Sequence, residues 1–253
     1  MNHGFLENSK IRFAELIAHH KLLDTRVSVF VKTLTPQEAI GEPGRRDFPI
    51  ILGKERMVEA EVLGARAQAF TDSPGEFIGY LKEVLRFPLA SNRERSIFVA
   101  TLNATLKHLH FVEDTIHCKD EDPEKCGENI ASQLLKRLGR IKVGLIGLNP
   151  AIAQNLAETF DAENVRIADL DEDHIHSRKF GVKIWDGKDA IEKLVKESEF
   201  ILLTGTTLVN GTFDAIMRLI RIYGKDYMIY GVTGSGICQL LELNRICPYS
   251  RNA

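Results

Sequence analysis

"VGLIGLNPA", Val143 to Ala151, decides how this chain folds. It reads as the end of a buried strand turning into a helix, the place where a dinucleotide-binding protein carries G-x-G-x-x-G. Gly147 holds the first glycine position, but Asn149 stands at the second and Ile152 at the third. The second glycine lets backbone approach a pyrophosphate, and the third lets helix and strand pack closely. Pro150, in the first helical turn, removes one N–H donor. Conventional NAD binding is therefore disfavoured, and Asn149 is left to present its amide to a smaller ligand.

Outward from this stretch the chain alternates strand and helix, the signature of a parallel sheet. "IKVGLIG", "NVRIADLD", "EFILLTG" and "DYMIYGV" read as strands, with "GVKIWDG" as a short or edge strand. "PAIAQNLAETF", "KDAIEKLVKES" and "TFDAIMRLIRIYG" read as the helices between them. Before this rhythm starts, the pattern is mixed. A helix is expected over Ser9 to Lys21, a strand over Arg26 to Leu34, and extended character in part of Arg56 to Phe70. A further helix is expected after Asp72 or Ser73, with Pro74 at its first position. "SNRERSIFVATLNATLKHL" is the longest helical pattern, with Ser91 as cap and Glu94 three residues on. Ile97, Ala100, Thr101, Ala104, Thr105 and His108 share a stripe, so this helix bridges two partners. "HCKDEDPEKCGEN" reads as a polar loop. The fold class expected is α/β, with a small α+β domain over 1–90. A connecting helix and a Rossmann-like domain with a mainly parallel sheet follow over 91–253.

A chain of 253 residues, 44% hydrophobic and 27% charged, has an ordinary globular composition. The formal net charge of -2 argues against a nucleic-acid partner, since such domains are usually basic. No apolar run approaches the roughly 18 residues of a membrane span. The N-terminal segment lacks a basic-then-apolar signal, and 4 cysteines make no disulfide scaffold, so a cytoplasmic setting is expected. A homo-oligomer is compatible with all of this.

Three loops gather at the carboxyl edge of the expected sheet, where open α/β sheets bind ligands. They are "GLNPA", "TGTTLVNGT" (Thr204 to Thr212) and "GVTGSG" (Gly231 to Gly236). Their glycines expose backbone N–H groups and their hydroxyls add donors, although glycine also serves tight turns. Candidate ligand groups are Gly147, Asn149, Pro150, Thr204, Gly205, Thr207, Asn210, Gly211, Thr212, Gly234 and Ser235. Asp169 and Asp171, at the end of the second parallel strand, are placed to hold ribose hydroxyls. "DLDEDHIH" also gathers Asp169, Asp171, Asp173, His174 and His176, carboxylates and imidazoles able to bind a divalent metal. A second cluster holds His108, His110, Glu113, His117, Cys118 and Cys126. If the helix continues, His110, Glu113 and His117 share a face, and the thiolates suit a soft metal. Neither cluster has a known metal-motif spacing. Cys238 and Cys247, in mostly apolar surroundings, read as core residues.

"VGLIGLNPAIAQNLAETF", "TGTTLVNGT" and "ERSIFVATLNA" together resemble a prokaryotic heavy-metal chelation family, over nearly the whole chain. The resemblance implies a small N-terminal domain similar to the N-terminal domain of enolases, joined to a Rossmann-like domain, with the site in the cleft between. By that resemblance Gly147, Asn149, Pro150, Thr204, Thr207, Asn210, Gly211 and Thr212 fall on cleft motifs, with Glu94, Arg95 and Asn103 contributed by the connecting helix. It brings no enolase chemistry, whose metal ligands belong to a barrel absent here. The leading expectation is a protein binding a small anionic or metal-chelating ligand between domains, in heavy-metal or cofactor metabolism, with a divalent heavy metal as cofactor. One alternative is a transferase using S-adenosylmethionine, which lacks a pyrophosphate and tolerates the altered loop. Another is a non-catalytic sensor or scaffold. Whether the chain is an enzyme is left open.

Overall fold

The computed structural model describes residues 4–23 and 28–252. Its first half starts with α1 (Phe5–His19), followed by β1 (Ser28–Leu34), α2 (Pro36–Ile40), β2 (Arg56–Val62), β3 (Ala65–Thr71), β4 (Phe77–Tyr80) and α3 (Leu81–Val84). Arg26 and Val27, expected to open β1, lie outside the described residues. The four strands form an antiparallel sheet in the order β3-β2-β1-β4. The expected helix at Pro74 is corrected here. Phe77–Tyr80 pairs with β1 as an edge strand, and only Leu81–Val84 turns helical. Proline just ahead of an edge strand is as compatible with sheet as with a helix start, and the unfilled edge of β1 decided between them.

The second half begins with α4 (Asn92–His108). Ser91 caps it by accepting from the Glu94 amide at 3.2 Å, while the Glu94 carboxylate accepts from the Ala90 amide at 2.9 Å. Every residue from Ser96 to Leu106 is buried, because the helix is covered by β2 and β3 on one side and by the second half on the other. It ends at His108, and His110 takes φ +58. His110, Glu113 and His117 therefore share no helical face. α5 (Asp122–Leu138) comes next, inside what the sequence presents as a polar loop. Its opening acids are a first turn with Pro123 near its start, which favours a helix N-terminus.

Then come β5 (Val143–Ile146), α6 (Pro150–Phe160), β6 (Val165–Asp169), β7 (Arg178–Lys179), β8 (Val182–Asp186), α7 (Ile191–Glu197) and β9 (Phe200–Thr204). The chain closes with α8 (Thr206–Asn210), α9 (Phe213–Ile222), β10 (Asp226–Tyr230), α10 (Ser235–Leu241) and β11 (Arg245–Ile246). Seven strands form one sheet, β11-β10-β9-β5-β6-β8-β7, parallel throughout except for the β7 edge. In β9 Phe200 and Leu202 pack with α5 and α6, whereas Ile201 and Leu203 pack with α7 and α9. Both faces are covered, which is why these strands read as continuous apolar runs. Chain order reverses at β5, so the loops after β5 and β9 diverge there and leave a crevice.

Candidate functional site

The crevice is a cavity of about 560 Å³ between the carboxyl edge of the parallel sheet and the antiparallel sheet. Its floor is the loop after β5. Gly147 takes φ +88, and a Cβ there would lie 2.5 Å from Thr204 Cγ2, so only glycine lets the two strand ends approach. The Gly147 carbonyl accepts from the Tyr230 hydroxyl at 2.9 Å. Next to it the Leu148 amide donates to Asp169 Oδ2 at 2.5 Å, and Asp169 Oδ1 accepts from the Asp171 amide at 2.7 Å. Asp169 thus ties the β5 and β6 loops together through both of its oxygens. Asn149 caps α6, accepting from the Ile152 amide at 3.1 Å.

Gly147, Asn149, Asp169, Asp171, Thr204, Thr207, Asn210 and Thr212 all line this one cavity. Several are also engaged within their own loops. Thr207 donates to the Thr204 carbonyl at 2.7 Å, and Asn210 Oδ1 accepts from the Thr212 hydroxyl at 2.7 Å. Pro150, Gly205, Gly211, Gly234 and Ser235 do not line it. A Cβ on Gly205 would lie 2.8 Å from the Gly234 amide nitrogen, so this pair lets two loops touch backbone to backbone. Gly211 is the left-handed C-cap of α8, at φ +82. The Ser235 hydroxyl donates to the Val232 carbonyl at 2.7 Å.

The three residues offered by α4 also lie away from the cavity wall. Glu94 caps its helix. Arg95 donates to the Val209 carbonyl at 2.6 Å and the Leu89 carbonyl at 2.9 Å, anchoring the end of α8. Asn103 is fully buried; its Nδ2 reaches the Thr233 carbonyl at 3.1 Å and its Oδ1 accepts from the Gly236 amide at 2.8 Å. It holds the 231–236 loop in place, and Thr233 in turn accepts from the Phe70 amide at 3.0 Å.

The metal candidates are scattered. Among the described residues no three His, Cys, Asp or Glu side chains converge as a ligand set. Asp171 and His174 line the cavity, with Asp171 Oδ2 and His174 Nδ1 3.8 Å apart, both buried and without a hydrogen bond. His176 points its amide at the Ile184 carbonyl and stays out of the cavity. Cys118 and Cys126 are buried in the core on the α5–α6 side of the sheet. Their contact raises the Cys118 thiol and lowers that of Cys126. His117 does line the cavity, edge-on to Phe70. Its Nδ1 sits 2.6 Å from the Cys118 carbonyl, which can only accept, so Nδ1 carries the proton and Nε2 keeps its lone pair. Burial pushes its pKa down to about 4 and keeps the ring neutral.

The other wall was not legible in the sequence. Pro49, Lys54, Glu55, Phe70, Thr71 and Asp72 reach over from the antiparallel half. Lys54 pairs with Asp173 and stands 3.6 Å from Asp171, joining the two halves at the rim. Its hydrogen bond to Asp173 raises the ammonium pKa, and the same bond lowers that of Asp173. Glu55 is pushed up to about 7, first by burial and then by Asp169, Asp72 and Asp171. Glutamate in a turn between strands carries no periodicity or motif, and only the assembled cleft singles it out.

The family described as "Putative heavy-metal chelation", DUF364, matches residues 130–241. The matched segment runs from within α5 through α10, so it includes the sheet edge and its loops, while Lys54, Glu55, Phe70 and Asp72 come from outside it. Most of the chain is similar in fold to a DUF364 protein with unknown function from Pyrococcus horikoshii. The two share 17% identity over 91% of this chain and 80% of that one, with a TM-score of 0.53. A second DUF364 protein with unknown function, from Desulfitobacterium hafniense, shares 16% identity over 74% of this chain and 72% of the other, with a TM-score of 0.46. No curated protein matches the chain. No helix among the described residues is long and apolar enough to cross a membrane.

Proposed function

We propose that the protein binds a small molecule in the cleft between its two sheets, and that any heavy metal reaches it as a chelate rather than as a bare ion. The observation that carries this reading is the mismatch between cavity and donors. The cavity is about 560 Å³, the size of a small-ligand site, yet no three potential ligands converge within it among the described residues. A bare ion needs several donors within its own coordination sphere. A chelator brings its own donors and fills the volume.

Charge sharpens the expectation. Glu55, Asp72, Asp169, Asp171, Glu172 and Asp173 line the cavity against Lys54, which is already paired. An anion would meet that wall unfavourably, so the anionic ligand expected from the loops gives way to one bearing positive charge. Calorimetric titration with the cationic nickel–bipyridine chelate, free nickel and free bipyridine tests this. The chelate should bind more tightly than either component. Equal affinity for the free metal and the chelate would overturn the reading.

A second reading is favoured by one observation. Counting the parallel strands alone, the sheet runs 3-2-1-4-5-6, with Gly147 ending the first strand and Asp169 the second, as in Rossmann-type nucleotide sites. S-adenosylmethionine, cationic at sulfur, suits such a sheet and an acidic wall. Against it, both Asp169 oxygens already accept backbone N–H groups. A rise in melting temperature with S-adenosylmethionine but not with the chelate would favour the transferase.

A further inference from the structure

Glu55 is a cleft group whose situation nothing above accounts for. It closes the turn that precedes β2, and its carboxylate makes no hydrogen bond among the described residues, although it lines the cavity. Its own neighbours are turned away. Lys54 reaches to Asp171 and Asp173, and Arg56 donates to the Glu55 backbone carbonyl at 3.0 Å. On its own wall stands Asp72, just after β3, and Asp169 and Asp171 after β6 and the Tyr230 hydroxyl at the end of β10 lie close enough to act on it, with His117 and His174 on the same lining. Like charges concentrated in a confined space cannot all stay ionised, and the group without a hydrogen bond is the one that keeps a proton. Asp169, by contrast, accepts a backbone N–H at each of its oxygens.

We propose that Glu55 is the proton donor of the cleft, and that the bound molecule presents to it a basic oxygen or nitrogen that becomes positively charged on receiving the proton. In that step the Glu55 O–H bond breaks, a new O–H or N–H bond forms with a lone pair from the ligand, and Glu55 is left as a carboxylate. Solvent later returns the proton. The acidic wall then has a second role. Asp72, Asp169 and Asp171 oppose charge on Glu55 before transfer and stabilise positive charge on the ligand after it, which is differential stabilisation of the transferred state. The placement makes the protein an enzyme of general-acid chemistry, acting on a neutral or cationic substrate with a basic heteroatom. This inference rests on the cleft being a ligand site, and not on the ligand being a chelate.

The probe is diazoacetamide, which esterifies carboxyl groups only in their protonated form. The acid protonates the diazo carbon, the carboxylate attacks that carbon, and dinitrogen leaves. At pH 7 peptide mapping of the labelled full chain should place the ester on Glu55 ahead of all other carboxyls. Its rate should fall about tenfold per pH unit above the pKa. A potentiometric difference titration of wild type against Glu55→Gln, which needs no reagent access, should show one group titrating near neutral pH. A difference titration placing Glu55 in the ordinary carboxylate range overturns the proposal, as does labelling that is equal across the surface acids. If the nickel–bipyridine chelate fails to bind while Glu55 titrates near neutrality, the chelate reading falls and this one stands. The reverse pair of results sinks this one alone.

Discussion

Asn149 shows how a residue chosen for a ligand can also belong to the fold. Its Oδ1 caps α6, and the residue borders the cavity. Asn149→Leu should therefore cost about 1 kcal/mol through loss of the cap, in addition to any loss of binding. Asn149→Asp keeps a capping oxygen and should stay close to wild type in urea unfolding. Equal destabilisation by both would mean that the cap contributes nothing. Glu55 makes the opposite case, a site residue that works against stability. Its folded pKa of about 7 lies above the ordinary 4.5, so the folded chain holds this proton more tightly than the unfolded chain. Stability from this group is greatest below about pH 4.5 and declines as pH rises through about 7. At 1.36 kcal/mol per unit, the cost of ionised Glu55 is on the order of 3 kcal/mol. Glu55→Gln should thus be more stable than wild type at pH 8, with the gain shrinking toward pH 5. A gain that does not change with pH would remove Glu55 as the cause. His117 runs the other way, since its depressed pKa makes folding less favourable as pH falls from 6.5 through about 4.

At the level of elements, the sequence was clearest where both faces of a strand are buried. β5, β6, β9 and β10 announce themselves as apolar runs between turn residues, and their parallel order brings Asn149, Thr207 and Asn210 to the lining of one cavity. It was least clear where polar composition hides a helix. "KDEDPEKCGEN" reads as solvent-exposed, yet from Asp122 it is the first two turns of α5, whose buried face (Cys126, Gly127, Ile130, Ala131, Leu134) emerges only with the residues beyond it. The cleft's second wall was hidden for another reason: Glu55 and Asp72 acquire their meaning from residues more than ninety positions away, which no local spacing encodes. Gly127 marks where α5 meets α6. A Cβ there would lie 2.7 Å from the Ala151 carbonyl carbon and oxygen. Backbone cannot yield as a side chain can, so Gly127→Ala must push the two helices apart. Overpacking of this kind costs about 1–3 kcal/mol, despite the better helix propensity of alanine. A stabilised Gly127→Ala protein in denaturant unfolding would show that the α5–α6 contact is looser than it looks.

For the molecule as a whole, two sheets do not mean two independent folding units. One apolar core runs from Val58 and Ala60 of β2, through Phe98 and Leu102 of α4, to Leu203 of β9 and Ile216 of α9. The chain start reinforces it, because α1 packs against the second half: Phe5 lies edge-on to Phe213 at 5.0 Å, and its amide donates to Asp214 at 2.7 Å. At the other end Ile116 and Arg251 form an isolated bridge, and Arg251 pairs with Asp122 in α5. A division at residue 90 is therefore a proposal about sheets rather than about stability, since neither half buries α4 alone. The two halves are expected to unfold together in a single transition. Trp185, the one tryptophan, sits on β8 and reports the parallel sheet through its fluorescence, while hydrogen exchange at β2 and β3 reports the antiparallel one. Phe98→Ala, at a fully buried position of the shared helix, should cost about 3–5 kcal/mol and lower both signals by the same amount. If fluorescence and exchange separate into two midpoints, or if Phe98→Ala moves only one of them, α4 is a linker packed between two domains. The cleft would then be free to open by parting the sheets, and the Lys54 pairing with Asp171 and Asp173 would be what holds it closed.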